Sequence, residues 1–442
     1  MKRGKAMFEN NWESLNSRKV PEWFGKAKFG IFIHWGLYSI PAYAPKKDYA
    51  EWYGYSCNLE NCETEAQEKY KAYHKEHYNS RPYYDFINEF TGHRFDAKKW
   101  ADLFKRSGAR YINFVSKHHD GYCLYETKYA PGLNSVECAP KRDFLMELKN
   151  ALEGTGVRFG VYHSVYEWWH PTYLEDPEKY ALEHLHPMLK ELVEKYQPNT
   201  LFTDGEWSHE SSVWHSTEFL QWLYNESSVK DFIVPNDRWG KETRGRMGGN
   251  FTTEYGVIDV YQGELRYIDD VELDRPFEEC RGIGRSFGIN KEEGCEDYLS
   301  VKELLKILCD LVSKGGNFLL NIGPDGDGTI PPIMEERLLG MGKWLETNGE
   351  AIYESEVYNK KHSDGVYYTQ RDGNIYAITE RFPSKETVFP EIEYSDKYTV
   401  SLLGSEAKVE AINRDGKLAL KADICSPDEV NSEHLFVFKL SV

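Results

Sequence analysis

The chain has 442 residues, a length that suits one large domain with an additional module. Hydrophobic residues make up 40% and aromatic residues 15% of the chain, so it can bury a large core and is not of the intrinsically disordered class. Acidic residues outnumber basic ones by 72 to 54, and the formal charge of −18 argues against a nucleic acid as the partner.

The amino-terminal stretch MKRGKAMFENNW has basic side chains but no apolar run behind them. A secretory signal needs such a run, and a membrane span needs about eighteen consecutive apolar residues, which the sequence does not contain. We therefore predict a cytoplasmic protein without a membrane partner. The eight cysteines show no zinc-type spacing, and free thiols are favoured over disulfides, although Cys57 and Cys62 are close enough to pair.

Short apolar runs alternate with amphipathic segments up to about residue 350, as in βα units around a parallel sheet. The predicted strands are Lys28–His34, Tyr111–Ser116, Val157–His163, Thr200–Asp204, Phe232–Asn236 and Asn317–Ile322, with weaker candidates at Val257–Tyr261 and Phe277–Arg281. The clearest helix starts at a capping box formed by Ser300 and Glu303, continues as an apolar stripe and stops at Gly315-Gly316. Residues 1–352 are thus predicted to form a (β/α)₈-like TIM barrel, of fold class α/β.

After Gly349 the helical periodicity disappears. Short alternating stretches are separated by turn pairs such as Asp372-Gly373 and Asp415-Gly416. We predict a C-terminal antiparallel β-sandwich over residues 353–442. No low-complexity linker precedes it, so it should pack directly on the barrel.

Polar and aromatic residues follow five of the predicted strands at their carboxyl ends. These segments are His34-Trp35-Gly36, Lys117-His118-His119-Asp120-Gly121, Tyr162-His163-Ser164, Asp204-Gly205-Glu206-Trp207 and Asn236-Asp237-Arg238-Trp239. In a (β/α)₈ barrel the carboxyl ends of the strands form the catalytic face. Five such endings in chain order therefore predict an active site.

The histidines favour sugar binding over metal binding. Adjacent strand residues point to opposite faces, so His118 and His119 should not share one ion without a kink. No zinc-type spacing supports a metal, and no cofactor is predicted. A neutral imidazole has one donor and one acceptor, which suits a hydroxyl group that both donates and accepts.

Asp204 ends an apolar run and precedes a glycine, so it should open into the cavity; a turn or helix-capping aspartate is the alternative. Hydrolysis of a glycosidic bond needs two carboxyl groups. Position alone does not choose the second among Glu206, Glu254, Glu264, Glu278 and Glu279.

Several long motifs closely resemble the glycoside hydrolase family 29 α-L-fucosidases, from about Trp12 to Tyr353. They are WFGKAKFGIFIHWGLYSIPAYA, FVSKHHDGY, RFGVYHSVYEWWHP, LFTDGEW, NDRWG, FEECRGIGRSFGIN and GGNFLLNIGPDGDGTI. The W-x-H-P continuation and WLYNESSVKD are most similar to the broad-specificity, animal-lysosomal-like branch. The resemblance implies an exo-acting retaining enzyme that acts on a fucosylated oligosaccharide or glycoconjugate; a homo-oligomer is left open.

By this resemblance, Asp204 matches the family nucleophile and Glu278 the general acid/base. Matches to residues that hold or enclose the sugar are His34, Glu51, Trp52, His118, His119, Tyr162 and Phe287, with His163 as a neighbour and Arg238 beside the nucleophile. Trp207, from the fourth strand end, is a further predicted substrate-binding residue. Two departures stand out: Phe277 replaces a Trp, and the segment 57–94 matches poorly, so it is a candidate for shaping the leaving-group subsite. The competing hypotheses are a barrel glycosidase for another sugar, such as an α-L-galactoside, and a sugar-binding protein with a decayed site.

Overall fold

The computed structural model describes residues 7–59, 62–253, 276–359 and 365–441. Within these ranges no helix has both the length and the apolar character needed to cross a bilayer. All eight cysteines are free thiols, Cys57 and Cys62 included.

Eight parallel strands form the first sheet. They are β1 (Phe29–Ile33), β2 (Tyr111–Lys117), β3 (Val161–Ser164), β4 (Thr200–Asp204), β5 (Val234–Pro235), β6 (Phe251–Thr253), β7 (Phe277–Gly282) and β8 (Asn317–Ile322). Their order is β5-β4-β3-β2-β1-β8-β7-β6. The edge strands β5 and β6 approach each other through a parallel bridge between Asn236 and Asn250. The predicted TIM-like barrel is confirmed.

The barrel interior is filled by side chains from alternate strand positions, including Phe32, Val115, Tyr162, Phe202 and Leu319. The opposite side chains of the same strands pack under the surrounding helices, because residues next to each other on a strand face opposite ways. This double burial explains why the strand sequences are apolar without alternation.

Helices pack around the barrel. They are α1 (Trp12–Asn16), α2 (Glu22–Ala27), α3 (Tyr53–Asn58), α4 (Glu65–Tyr78), α5 (Ala97–Arg106), α6 (Phe144–Leu152), α7 (Pro171–Glu175), α8 (Pro177–Tyr180), α9 (His186–Tyr196), α10 (Ser216–Asn225), α11 (Val301–Ser313) and α12 (Pro332–Asn348). The predicted capping box of α11 is present: Ser300 Oγ accepts from the Glu303 amide, and Glu303 Oε2 accepts from the Ser300 amide.

The C-terminal part has two antiparallel sheets with a core of their own. One has the order β13-β16-β11-β10-β9 and the other β12-β15-β14. The strands are β9 (Glu356–Val357), β10 (Val366–Arg371), β11 (Asn374–Thr379), β12 (Thr387–Glu393), β13 (Thr399–Leu402), β14 (Val409–Arg414), β15 (Lys417–Ala422) and β16 (Phe436–Ser441). This module docks on α12, where Trp344 Nε1 donates to the Leu435 carbonyl at 2.8 Å.

Some predicted bounds differ from the observed ones. The strand predicted over Val157–His163 begins only at Val161, because Arg158 makes just an isolated bridge to Tyr111. The candidate Val257–Tyr261 lies outside the described residues, and the unpredicted β6 precedes it. The boundary between residues 352 and 353 stays a prediction.

Candidate active site

A pocket of about 190 Å³ opens at the carboxyl ends of the barrel strands. Sites for drug-sized ligands have about 300–1,000 Å³, so this pocket suits a smaller ligand, such as one sugar ring. It is lined by Phe32, His34, Tyr49, Glu51, Trp52, His118, His119, Tyr162, Phe202, Asp204, Trp207, Arg238, Cys280 and Phe287. Among the predicted site residues, only His163 and Glu278 are missing from this lining.

Asp204 is the last residue of β4, and its two carboxylate oxygens have different partners. Oδ1 accepts from Arg238 Nη1 at 2.5 Å and from Arg244 Nη2 at 3.3 Å. Oδ2 accepts from the Tyr162 hydroxyl at 3.1 Å, and His119 Nε2 lies 3.8 Å from it. Among the described residues, two guanidinium groups thus bind one oxygen, and the Tyr162 hydroxyl and the His119 ring face the other.

Asp204 is kept ionised by these neighbours. Burial raises the pKa of its carboxyl, but the positive charges of Arg238 and Arg244 and the nearby His119 outweigh burial, so the pKa lies below its ordinary value. A carboxylate that stays ionised inside a pocket is able to act as a nucleophile.

Arg238 is fixed on several sides. Its Nε donates to Thr252 Oγ1 on β6 at 3.0 Å, and its guanidinium lies 5.0 Å from the centre of the Phe202 ring. Its carbonyl accepts from Thr203 Oγ1 on β4 at 2.7 Å. The arginine therefore links β4 to β6 and holds its charge beside Asp204.

Three buried histidines surround the pocket as neutral rings. Burial lowers the pKa of His34 and of His119 to about 4, and it lowers that of His118 well below its usual range. Asn321 donates to the Phe287 carbonyl, so its oxygen accepts from His34 Nδ1 at 2.6 Å. Neutral His34 thereby keeps Nε2 as an acceptor.

His119 is oriented in the same way. The Ser164 hydroxyl donates to the Tyr166 carbonyl, so it accepts from His119 Nδ1 at 2.6 Å and leaves Nε2 as an acceptor near Asp204. His118 Nδ1 has no hydrogen-bond partner among the described residues. Both rings line the pocket because β2 ends at Lys117 and the chain turns there, which strict alternation did not predict.

Glu51 and the aromatic residues complete the walls. The carboxylate of Glu51 accepts from the Gly288 amide at 2.8 Å, and burial raises its pKa to about 7. Phe287 contacts the His34 ring, and Trp52 stacks on Trp207 at an angle of 29° with 6.0 Å between the ring centres. Trp207 is 40% exposed, so it forms the rim of the pocket.

The structure corrects the assignment of Glu278 as the acid/base. Glu278 is the second residue of β7 and pairs with Asn317, the first residue of β8, so it lies at the amino end of the strands. Its buried carboxylate accepts a hydrogen bond from the Tyr111 hydroxyl and does not line the pocket. Cys280, two residues further along the same face of β7, is part of the pocket lining. A leaving group in the pocket is therefore out of reach of Glu278.

Of the other candidate carboxylates, Glu206 and Glu279 do not line the pocket. Glu206 is fully buried, bonded to Arg244 Nε at 2.5 Å, and does not line the pocket. Glu279 lies on the opposite face of β7 from Cys280. Glu254 and Glu264 lie outside the described residues.

His163 is also corrected. It follows Tyr162 on β3 and therefore points away from the barrel interior, where its Nδ1 donates to Ser116 Oγ at 2.9 Å. It packs near a cluster formed by Glu167, His170 and His184, whose ligand atoms lie within 4.8 Å of one another. The buried ammonium of Lys117 is already hydrogen-bonded to Glu167, so its positive charge opposes a metal ion there.

In the segment 57–94, the described residues 57–59 and 62–94 contribute no side chain to the pocket lining. It supports the wall from behind: the Tyr53 hydroxyl is hydrogen-bonded to His74 Nδ1 at 2.8 Å, and the Tyr70 hydroxyl donates to the Tyr49 carbonyl at 2.8 Å. Arg244 was not predicted as a site residue. It lies in an irregular loop without apolar periodicity, and a charged residue in such a loop has no pattern that would single it out.

Comparison with known proteins identifies the family. The family model described as alpha-L-fucosidase matches residues 1–350, and the alpha-L-fucosidase C-terminal domain matches residues 358–441. Plasma alpha-L-fucosidase of Homo sapiens is 40% identical over 396 residues, which cover 86% of this chain and 80% of that protein. Tissue alpha-L-fucosidase of Homo sapiens is 35% identical over 444 residues, covering 98% and 91%. The Thermotoga maritima alpha-fucosidase bound to a mechanism-based inhibitor superposes with a TM-score of 0.82 at 34% identity, covering 98% and 100%.

Proposed function

This chain belongs to the α-L-fucosidase family and is a glycoside hydrolase of that class, and from this premise we propose that it removes terminal α-L-fucosyl residues by a retaining double displacement. Asp204 attacks the anomeric carbon and forms a covalent fucosyl-enzyme. A second carboxyl group protonates the departing oxygen and then activates the water that releases fucose. The observation that carries the proposal is the ionised, arginine-bound carboxylate at the centre of a pocket of about 190 Å³.

The walls of the pocket support a neutral deoxy sugar as the substrate. Neutral His34 and His119 each present an acceptor nitrogen, which suits hydroxyl groups and does not attract an anion. Phe32 and Phe287 add an apolar surface, which suits the C6 methyl group of fucose. A solved structure of the Thermotoga maritima alpha-fucosidase contains fucose.

We assign the second carboxyl group to Glu254. Among the candidates from the sequence, Glu278 lies below the pocket, Glu206 is held by Arg244 and Glu279 lies on the opposite face of β7 from Cys280. Glu264 is the remaining alternative. Glu254 comes directly after β6, whose Thr252 binds the arginine that holds Asp204. Glu51 lines the pocket with a raised pKa, but its bond to the Gly288 amide fixes it as a sugar-binding group in this proposal.

The experiment is rescue by azide, with 4-nitrophenyl α-L-fucoside as the substrate and the product anomer read by NMR. In Asp204→Gly, azide replaces the nucleophile, so the product is the β-fucosyl azide. In Glu254→Ala, azide attacks the covalent intermediate in place of water, so the product is the α-fucosyl azide.

Glu278→Ala and Glu51→Ala are the comparison variants, and neither should form an azide adduct. If Glu51→Ala forms the α-azide and Glu254→Ala does not, the acid/base assignment is wrong while the nucleophile stands. If Asp204→Gly forms no β-azide and keeps its turnover, the double displacement on Asp204 is wrong.

A further inference from the structure

Arg244 lies in a loop that is tied down on both sides of it. The Thr243 hydroxyl donates to the Asp237 carbonyl at 2.6 Å, and the Gly245 amide donates to Asp237 Oδ2 at 2.7 Å. Gly245 has a φ of +67°, a conformation that glycine adopts without strain. Asp237 thus anchors the residues that flank Arg244, and Asp237 itself follows β5 directly before Arg238.

The Arg244 guanidinium bridges two carboxylates. Its Nε donates to Glu206 Oε1 at 2.5 Å and its Nη2 to Asp204 Oδ1 at 3.3 Å. The side chain of Arg244 is 34% exposed and that of Arg238 is 5% exposed. The two arginines therefore reach the same oxygen from different sides, Arg238 from the interior and Arg244 from the solvent side.

This arrangement distinguishes the two oxygens of Asp204. Oδ1 accepts from both guanidinium groups, whereas Oδ2 faces the Tyr162 hydroxyl and neutral His119. An oxygen bonded to two positive charges is a poorer nucleophile than its partner, because those charges withdraw its electron density. Oδ2 is therefore the oxygen presented for attack.

We propose that Arg244 is a positioning residue that, together with Arg238, pins Oδ1 of Asp204 and so orients Oδ2 toward the anomeric carbon. This inference rests on the proposed function, in which Asp204 is the nucleophile. Glu206 has the supporting part of fixing the Arg244 guanidinium through Nε. Trp207 adds an aromatic face 6.0 Å from the same guanidinium.

The test is the pH profile of kcat/KM for Arg244→Met, Arg244→Lys and the matched control Arg246→Met from the same loop. Among the described residues, the charged or polar groups that face Asp204 are Arg238, Arg244, His34, His119, Tyr162 and Glu206. Removing the charge of Arg244 raises the pKa of Asp204, so the acidic limb moves to higher pH, by about 0.5–1 unit because the side chain is partly exposed to solvent. Arg244→Lys keeps the charge and should shift the limb less. Arg246→Met should leave it unchanged.

An unchanged acidic limb in a folded Arg244→Met variant overturns the inference. If Arg244→Met does not fold, the kcat of Arg244→Lys is the deciding measurement. Lysine lacks the guanidinium that bridges Glu206 and Asp204, so kcat should fall more than KM changes. An unaltered kcat overturns the inference. Asp204→Gly separates the two proposals. If that variant is inactive while the Arg244 profiles match wild type, only the role of Arg244 fails.

Discussion

Asp204 and Glu278 are buried carboxylates of the barrel at different heights, Asp204 at the carboxyl ends of the strands and Glu278 at the amino ends. Asp204 has two arginines and a pKa below its ordinary value. Glu278 is hydrogen-bonded to Tyr111, and burial raises its pKa to about 7. One carboxylate is open to a ligand and ionised, and the other is enclosed and readily protonated.

The difference shows that a shifted pKa alone does not identify a catalytic acid. A pKa near 7 is what a general acid/base requires, and Glu278 has it. Glu278 nevertheless lacks access to the pocket, because Cys280 of the same strand lies between it and the cavity. Position along the strand therefore decides the role before the pKa does.

The largest expected effect is that of replacing Asp204, the carboxylate at the carboxyl ends of the strands. Asp204→Gly should lower kcat about 10³-fold or more, because the proposed covalent step loses its nucleophile. Steady-state kinetics with 4-nitrophenyl α-L-fucoside measures the loss, and thermal unfolding of the same variant confirms that it is folded. Near-normal turnover would show that Asp204 is not the nucleophile, and the contrast between Asp204 and Glu278 would then have no bearing on catalysis.

A smaller effect is expected from replacing Trp207 at the rim of the pocket. Trp207→Ala should raise KM about two- to tenfold, since an aromatic contact contributes about 0.5–1.5 kcal/mol. Trp207→Phe keeps a ring at the same place and should recover most of the affinity. A KM that is equal in all three proteins would show that Trp207 does not touch the substrate.

The smallest effect on activity is expected from replacing Glu278, at the amino ends of the strands. Glu278→Gln should keep kcat/KM within about threefold, because the side chain does not reach the pocket. Its effect is on stability. A carboxyl whose folded pKa is raised to about 7 contributes stability that is present below its unfolded pKa and is lost as pH rises through about 7.

The glutamine variant should therefore lose less stability between pH 5 and 8 than wild type does, by at most on the order of 3 kcal/mol. Chemical unfolding at several pH values measures this difference. Glu51, whose pKa is also about 7, is present in both proteins and provides the same slope in each. A loss of kcat/KM far above threefold would return Glu278 to the active site.

The fold could be predicted from the sequence because strand burial is visible there. Thr200–Asp204 and Asn317–Ile322 have their predicted bounds, since apolar runs end where the strands emerge from the barrel. The polar and aromatic segments at the five predicted strand ends contain half of the pocket lining, namely His34, His118, His119, Tyr162, Asp204, Trp207 and Arg238. Short strands such as Val234–Pro235 were predicted too long, because pairing across only two residues leaves no mark in the sequence.

The site differs from its prediction at three residues, Glu278, His163 and Arg244, each for its own reason. Glu278 was assigned by resemblance, although its place at the start of a predicted strand already put it at the amino end of the barrel. His163 follows Tyr162 on β3, so their side chains point to opposite faces of the sheet. The sequence alone does not show which of the two faces the barrel interior. Arg244 reaches Asp204 only through loop contacts to Asp237, which are tertiary.

The pairing between neighbouring barrel strands is shortest where Asn236 approaches Asn250. Among the described residues, β5 and β6 share one bridge there, whereas β1 and β8 pair over five residues. Local unfolding should cost the least free energy along this line, since fewer backbone bonds must break. The bond from Arg238 to Thr252 crosses it and ties the electrostatics around Asp204 to the integrity of the barrel wall. Opening of the barrel wall along this line should therefore also loosen the hold of Arg238 on Asp204.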